Sequence, residues 1–295
     1  MIRFYALLFL EFLFAPFLYA RQVFLKNISL EGDLKRYRKD VDNDSVVVGI
    51  HDWVGYSLDR KKTVNDKVFD CGLNCQLARV SNYKGTRTLN LSVTISGSPE
   101  DNYDKFEAIP FTKVSNIGMD FSGYAHTLRT FSKNGNCYVL LMNSSIEALQ
   151  VDFIDEYINF LEENKDVGLL GISYATKMYQ TLIRNNFTPH VQSFFLLSTV
   201  DVLNSVVEAN GGRFPGEGIL HKRLLIRCGE VRLSKIIMKL GYRLAIIDEQ
   251  GKPYIFPRAK GLLQTPFKQW RLPMGEYRHH VQQPNRINKL NTMQK

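Results

Sequence analysis

Apolar and polar positions along the chain follow the two periods that distinguish strands from helices. The β-branched run VVVGIHDW, which with its preceding serine covers 45–53, predicts a first buried strand. LNLSVTI (89–95) alternates apolar and polar residues as a half-exposed strand does, and CYVLLM (137–142) predicts a short, fully buried one. Two further buried strands are predicted at VGLLGISY (167–174) and HVQSFFLLS (190–198).

The segments between these strands carry helical patterns. Residues 121–130 predict a helix that stops near Lys133-Asn134-Gly135, and VDFIDEYINFLEENK (151–165) is amphipathic and begins with acids. VDVLNSVVEANGG (200–212) predicts another helix with a glycine stop. GEVRLSKIIMKLGYRLAII (229–247) predicts a helix, a Gly-Tyr turn and a last strand. This alternation predicts an α/β fold with a mostly parallel sheet flanked by helices on both faces.

The first residues differ from the rest of the chain. FYALLFLEFLFAPFLYA (4–20) is apolar apart from Glu11 and is flanked by Arg3 and Arg21. It predicts a membrane segment in the form of a signal anchor, with a cleaved signal peptide and a buried core helix as alternatives. The predicted organisation is an anchor or signal (1–20), a charged stem or linker (21–45), an α/β domain (46–256) and a basic, partly disordered tail (257–295).

Glycosylation sequons bear weakly on where the domain resides. The pattern N-x-Ser/Thr occurs at five positions: Asn27, Asn43, Asn90, Asn143 and Asn186. Together with the anchor, these sequons predict a single-pass membrane protein on a secretory route. The domain would then face the Golgi or ER lumen in a eukaryote, whereas a bacterial origin would place it at the cytoplasmic face of the inner membrane.

The net charge of +9 is concentrated late in the chain. Residues 258–295 contain eight Lys or Arg and the single acid Glu276, a net of +7, which leaves +2 (9 minus 7) for the rest. Such a tail is either a solvated end or a contact for anionic lipid or another polyanion. The α/β domain has no charge excess that would predict nucleic-acid binding.

Cysteine usage excludes two classes of protein. Four cysteines are too few for a disulfide scaffold. Their spacing lacks a second ligand pair and no His cluster is nearby, so no zinc site is predicted. Cys71 and Cys75 are close enough in sequence to bridge, which leaves one disulfide as an alternative to free thiols.

Candidate chemistry gathers where the predicted strands end. Ligands of parallel sheets bind at the carboxyl ends of the strands, and Asn143-Ser144-Ser145 ends the most apolar strand. Gly118 and Gly123 allow close backbone approach around Asp120, and Glu230 is predicted at the start of a helix that points to the same edge. Each has a purely structural alternative: Asp120 and Glu230 as helix-start acids, and Asn116 as a turn residue.

The order of these segments resembles that of the family 2-like glycosyltransferases of the GT-A fold. In that family an N-x-G turn leads into a helix, a strand ends in an Asp-x-Asp triplet, and a later acid precedes a helix carrying a Gly-Tyr pair. The nearer resemblance is to the rhamnan synthesis protein F-like glycosyltransferases, through NIGMDF, LLMNSS, HVQSFF and EVRLS. The resemblance covers roughly residues 46–247.

The resemblance implies an enzyme that moves a hexose or deoxyhexose from a nucleotide-sugar donor to a glycan acceptor. Glu230 would accept the proton of the acceptor hydroxyl, and His190 and Gln192 would line the acceptor side. The nucleotide-sugar would be bound by five residues, of which the last two face the diphosphate: Asn116, Gly118, Asp120, Asn143 and Ser145.

The chain departs from the family at the triplet, where Asn143 and Ser145 replace both acids. The family's triplet holds a divalent metal, Mn²⁺ or Mg²⁺, but neutral oxygens bind such hard cations poorly, so we predict no metal ligands here. Either Lys, Arg and backbone N–H groups stabilise the leaving diphosphate, or the protein is an inactive glycosyltransferase-like module that binds a sugar or a partner. A glycan on Asn143 would block the pocket, so that sequon and the pocket are mutually exclusive.

Overall fold

The structure, a computed structural model, describes residues 35–256 except 43, 65–66, 134, 176–189 and 249. It also describes 285–291 and six positions between 5 and 16. Most of the predicted membrane segment (4–20) and the tail residues 257–284 and 292–295 therefore lie outside the described residues. Within the described part of the chain, no helix is both long and apolar enough to cross a membrane.

Strands account for most of the predicted buried segments. In chain order they are β1 (Ser45–Trp53), β2 (Arg60–Val64), β3 (Lys67–Cys71), β4 (Thr88–Gly97), β5 (Thr112–Ser115), β6 (Tyr138–Asn143), β7 (Val167–Gly171), β8 (Tyr174–Ala175), β9 (His190–Val191), β10 (Phe195–Thr199), β11 (Arg243–Ile247) and β12 (Pro253–Ile255). Eight of them form one sheet in the order β5-β4-β1-β6-β10-β7-β11-β12. Within it, β10 runs antiparallel to both neighbours and β12 antiparallel to β11, while the other pairs are parallel.

Helices cover both faces of this sheet. They are α1 (Leu73–Ser81), α2 (Asp120–Phe131), α3 (Ile154–Glu163), α4 (Val200–Ala209), α5 (Lys222–Ile226) and α6 (Arg232–Lys239). Alternate residues of β1 point to opposite faces: Val46 packs in the core with α1 and α3, and Val47 packs in the core with α2, α4 and α6. The predicted α/β fold with a mostly parallel sheet flanked by helices is confirmed.

The segment predicted as one strand over 190–198 is instead two strands separated by a break. At the break, the Gln192 amide donates to the Ser173 carbonyl at 3.0 Å, and the Ser193 amide donates to the Glu230 carboxylate at 3.0 Å. Both amides are thus taken out of the sheet. The apolar run could not reveal this, because the competing partners come from distant parts of the chain.

Two stretches expected to be a stem and a solvated tail pack on the domain. The buried Arg38 donates to the Val167 carbonyl at 2.7 Å. Ile287 is only 1% exposed and lies in the core, and the neighbouring Asn288 carbonyl accepts a bond from Tyr157 at 2.7 Å. Residues 35–42 and 285–291 therefore extend the folded unit beyond the predicted limits of 46–256.

Cys71 and Cys75 do not form a disulfide with each other. The alternative of a disulfide between Cys71 and Cys75 is therefore wrong for this structure.

Candidate functional site

The strand tip at Asn143 meets the first turn of α2. The Asn143 side-chain amide donates to Asp120 Oδ2 at 2.8 Å, and its Oδ1 accepts the Ser145 amide at 3.0 Å. Asn143 and Ser144 are buried, and Ser145 is half-buried. The structure thus brings the predicted triplet and Asp120 together at the carboxyl edge, by which we mean the edge where β1, β4, β5 and β6 end.

A turn at Gly118 positions Asp120. The Asn116 side chain accepts a bond from Ser96 Oγ at 3.1 Å, which ties the turn to the end of β4. Gly118 has φ +110°, and a Cβ there would lie 2.6 Å from Ser122 Oγ, so only glycine suits this position. The Asp120 carboxylate reaches across to Asn143 and is thus more than a helix-start acid.

Two residues that the sequence analysis did not select complete the surroundings of the triplet. Ser144 Oγ donates to Asp52 Oδ1 at 2.6 Å, and Arg60 Nη2 donates to Ser144 Oγ at 2.7 Å. Arg60 also pairs with Asp52 at 3.3 Å and lies 3.4 Å from Ser145 Oγ. The acid at the end of the predicted strand VVVGIHDW was a usable signal for Asp52. No signal in the sequence indicated Arg60, because it lies on a separate hairpin.

That hairpin, formed by β2 and β3, is fixed against the carboxyl edge. The Gly72 amide, directly after β3, donates to the Ser144 carbonyl at 2.9 Å. The Arg60 guanidinium lies 4.0 Å from the centre of the Tyr56 ring, which in turn contacts Trp53 edge-on. Ion pairing, stacking and hydrogen bonds therefore hold the guanidinium in one place.

His51 is a further residue that the sequence analysis missed. Its Nδ1 lies 3.1 Å from Thr94 Oγ1, and its Nε2 lies 4.0 Å from Asp120 Oδ1. Burial lowers the pKa of His51, against the opposing effect of Asp120, so the ring is neutral at pH 7. A Cβ on Gly123 would lie 2.3 Å from His51 Nδ1, which explains the need for glycine there.

Glu230 forms the second polar group at this edge. Its Oε1 accepts bonds from the Ser193 amide at 3.0 Å and the Ser193 hydroxyl at 2.9 Å, while its Oε2 lies 3.7 Å from His190 Nε2. Burial raises the pKa of Glu230 to about 7, and the charge of Asp120 acts in the same direction. The bonds from Ser193 and the charge of Lys222 oppose that rise.

The predicted position of Glu230 at a helix start is wrong. The residue lies in a π-helical turn, Arg227–Val231, which joins α5 to α6 without an intervening loop. Glu230 therefore does not cap the first turn of a helix, which removes its structural alternative as a helix-start acid. Single π-helical turns inside helices often occur at functional sites because they redirect one side chain.

Of the two residues expected on the acceptor side, His190 lies beside Glu230 and Gln192 bonds to Ser173. His190 is completely buried beside the carboxylate, so in this structure it supports Glu230 and does not line an open surface. Gln192 is half-buried, and its side-chain oxygen accepts a bond from Ser173 Oγ. Tyr124 Oη donates to the Ser193 carbonyl at 2.7 Å, which fixes the break between β9 and β10 from the side of α2.

The donor set around the triplet does not suit the divalent metal that the resemblance implies. Among the described residues, no group of three or more His, Cys, Asp or Glu side chains is arranged to hold a metal ion. Asn143 presents an N–H group to Asp120, and the Ser144 hydroxyl and Asp52 oxygen already surround the Arg60 guanidinium. Hard cations prefer several carboxylate oxygens, and of the two carboxylates beside the triplet, Asp52 Oδ1 and Asp120 Oδ2 already accept hydrogen bonds.

Comparison with known proteins gives no family for this chain. No protein-family model matches it, and no curated protein matches it. The geometry of the carboxyl edge and the resemblance of the motifs are therefore the features that point to a function.

Proposed function

We propose that the protein is a GT-A-like glycosyltransferase that transfers a hexose or deoxyhexose from a nucleotide-sugar to a glycan without a divalent metal. The observation that carries the proposal is Glu230, a buried carboxyl with a pKa of about 7 at the same edge as Asp120 and Asn143. A general base works best when its pKa lies near the working pH. All four motifs behind the resemblance contribute side chains to this edge.

On the acceptor side, Glu230 is the proposed base. Its carboxylate removes the proton from the acceptor hydroxyl while that oxygen forms a bond to the anomeric carbon. The bond from this carbon to the diphosphate breaks, and the nucleoside diphosphate leaves with the electron pair. Ser193 orients Glu230 through two hydrogen bonds, so the second oxygen keeps a fixed direction.

On the donor side, the turn at Asn116–Asp120 shapes the nucleotide pocket. The positive φ at Gly118 brings the backbone close to the site, and the Asn143–Asp120 bond fixes the neighbouring wall. The triplet then faces the diphosphate with amide and hydroxyl groups in place of carboxylates. Neutral groups repel a diphosphate less than the family's acids would without their metal.

The test combines binding and turnover with a matched pair of variants. Nucleotide-sugars are screened for thermal stabilisation of the full chain, and the best donor is assayed for transfer and for hydrolysis. Glu230→Gln should reduce turnover about 10²–10⁴-fold while donor binding is retained. Glu163→Gln, an exposed glutamate at the end of α3, is the control and should leave turnover unchanged. Unchanged turnover in Glu230→Gln would remove the proposed base.

The neutral triplet favours a second candidate function. Because Asn143 and Ser145 replace both acids of the family's triplet, the protein could be an inactive relative that binds a sugar or a partner. The same screen separates the two candidates. A nucleotide-sugar or free sugar that stabilises the protein without any turnover supports the binding module.

A further inference from the structure

Cationic side chains gather around the triplet, where the resembling family places its metal. We propose that Arg60, assisted by Lys62, binds the diphosphate of the donor in place of a divalent cation. This inference rests on the proposed function and deepens it, because it assigns the charge that stabilises the leaving group.

The setting of Arg60 is that of a fixed anion-binding group. Its guanidinium contacts Ser144, Ser145 and Asp52, and its side chain is 15% exposed. These contacts use three of the five N–H donors that a guanidinium carries, so donors remain for an incoming phosphate. Guanidinium groups match phosphate oxygens through paired hydrogen bonds, and a guanidinium that is already ordered loses little entropy on binding.

Lys62 follows two residues later on β2 and lies on the same side of the strand. Arg60 and Lys62 are half-buried, whereas the alternate residues Lys61 and Thr63 are exposed, as the period of a strand requires. Burial lowers the pKa of Lys62, and the charges of Arg60 and Lys222 act in the same direction. Arg60 and Lys62 thus present two cationic side chains on one side of β2, and a diphosphate bound there would meet both.

A divalent metal would compete with Arg60 for the same oxygens. Asp52 Oδ1 accepts bonds from Ser144, which is the middle residue of the triplet, and from Arg60 beside it. A dication among these groups would face the guanidinium across a short distance in a poorly solvated site, where repulsion between charges is strong. The donor set therefore favours the guanidinium, with a metal as the outcome that the test must exclude.

The experiment is calorimetric titration of the full chain with inorganic pyrophosphate in the presence of a chelator. Arg60→Gln should weaken binding by about tenfold or more, the scale of one lost hydrogen bond between charged groups. Lys62→Gln should weaken it less, because the ammonium acts as a single point charge. Lys61→Gln is the control, since it removes the same charge from the opposite side of β2, where the side chain is 75% exposed.

Three results would overturn the inference. These are equal losses in Lys61→Gln and Arg60→Gln, no pyrophosphate binding in the chelator, and binding that appears only when Mn²⁺ or Mg²⁺ is added. Arg60→Gln leaves the buried Asp52 without its cation, so the melting temperature of this variant is measured as well. If the single variant unfolds, the double variant Asp52→Asn/Arg60→Gln provides a folded form. In that form the same loss of pyrophosphate affinity is expected.

The outcomes for the inference and for the proposed function are distinguishable. Turnover of a nucleotide-sugar that needs a metal and is unaffected in Arg60→Gln would retain the glycosyltransferase and reject the role of Arg60. Pyrophosphate binding that depends on Arg60, without turnover of any nucleotide-sugar, would retain the anion site and reject the enzyme.

Discussion

Glu230 is the residue in which burial and chemistry are most closely linked. Burial raises its pKa to about 7 from an ordinary value of 4.5. In the range between these values, the folded protein keeps a proton that the unfolded chain releases. The carboxyl that is suited to act as a base therefore costs the protein stability as the pH rises, as expected for a group selected for function.

We predict that Glu230→Gln removes this cost. For the wild-type protein, Glu230 contributes no penalty below pH 4.5, a growing one up to about pH 7, and a constant one above it. A shift of this size corresponds to about 3 kcal/mol. The free energy of unfolding of Glu230→Gln, minus that of wild type, should therefore increase between pH 5 and pH 8. Urea denaturation at several pH values measures it.

Other groups titrate in this range, but they are shared by both proteins. Burial lowers the pKa of His51, so the stability that the neutral ring contributes is lost as the pH falls. The stability linked to Glu230 changes in the opposite direction, because it is lost as the pH rises. Taking the difference between variant and wild type cancels such terms. Glu163→Gln serves as the control, because it removes an exposed glutamate at the end of α3. A flat difference for Glu230→Gln would show that its pKa is ordinary.

At the scale of secondary-structure elements, the break between β9 and β10 decides where Ser193 lies. A continuous strand would have kept the Ser193 amide in the sheet, and Glu230 would have lost two donors. The short β9 pairs with β8, and His190 of β9 lies beside the same carboxylate. The break between β9 and β10 thus places the Ser193 amide and hydroxyl against Glu230.

We predict that Ser193→Ala raises the pKa of Glu230 further. The hydroxyl donates to the carboxylate at 2.9 Å and so stabilises the charged form, while the backbone amide remains in the variant. Titration of the Glu230 carboxyl carbon by NMR measures the change without needing activity. Ser198→Ala is the matched control: this buried serine on β10 donates to the Gly168 carbonyl at 2.6 Å and does not contact Glu230. Equal pKa values in the two variants would contradict the prediction.

The elements also show which parts of the structure could be predicted from the sequence. The bounds of β1 are those predicted, because its β-branched run is a local signal. The placement of Asn143 opposite Asp120 followed from a rule about strand ends. The β2–β3 hairpin, with its charged sequence RKKTV, has no such signal, and its position depends on contacts with Ser144 far along the chain. The sequence therefore could not predict that Arg60 lies at the site, whereas the position of Asp52 at the end of β1 could have been predicted.

For the molecule as a whole, the packing of residues 285–291 is the largest departure from expectation. The count of basic residues over 258–295 correctly describes the composition, but a charge count cannot show that one apolar residue enters the core. Arg286 forms a two-bonded ion pair with Glu147, and the Glu147 amide donates to the Asn285 carbonyl at 2.9 Å. These contacts join the late segment to the residues that directly follow the triplet.

We predict that Ile287→Ala destabilises the whole domain by about 2–5 kcal/mol, the usual cost of truncating a buried isoleucine. Ile287 is 1% exposed in the core that also contains Tyr157 of α3, so the truncation leaves a cavity there. Leu220→Ala is the control, since Leu220 is 69% exposed and its loss should change stability by less than about 0.5 kcal/mol. Urea denaturation compares the two. Equal effects of the two substitutions would mean that residues 285–291 do not hold this position in solution, because a segment that is detached from the domain cannot transmit the loss of a buried side chain to its unfolding.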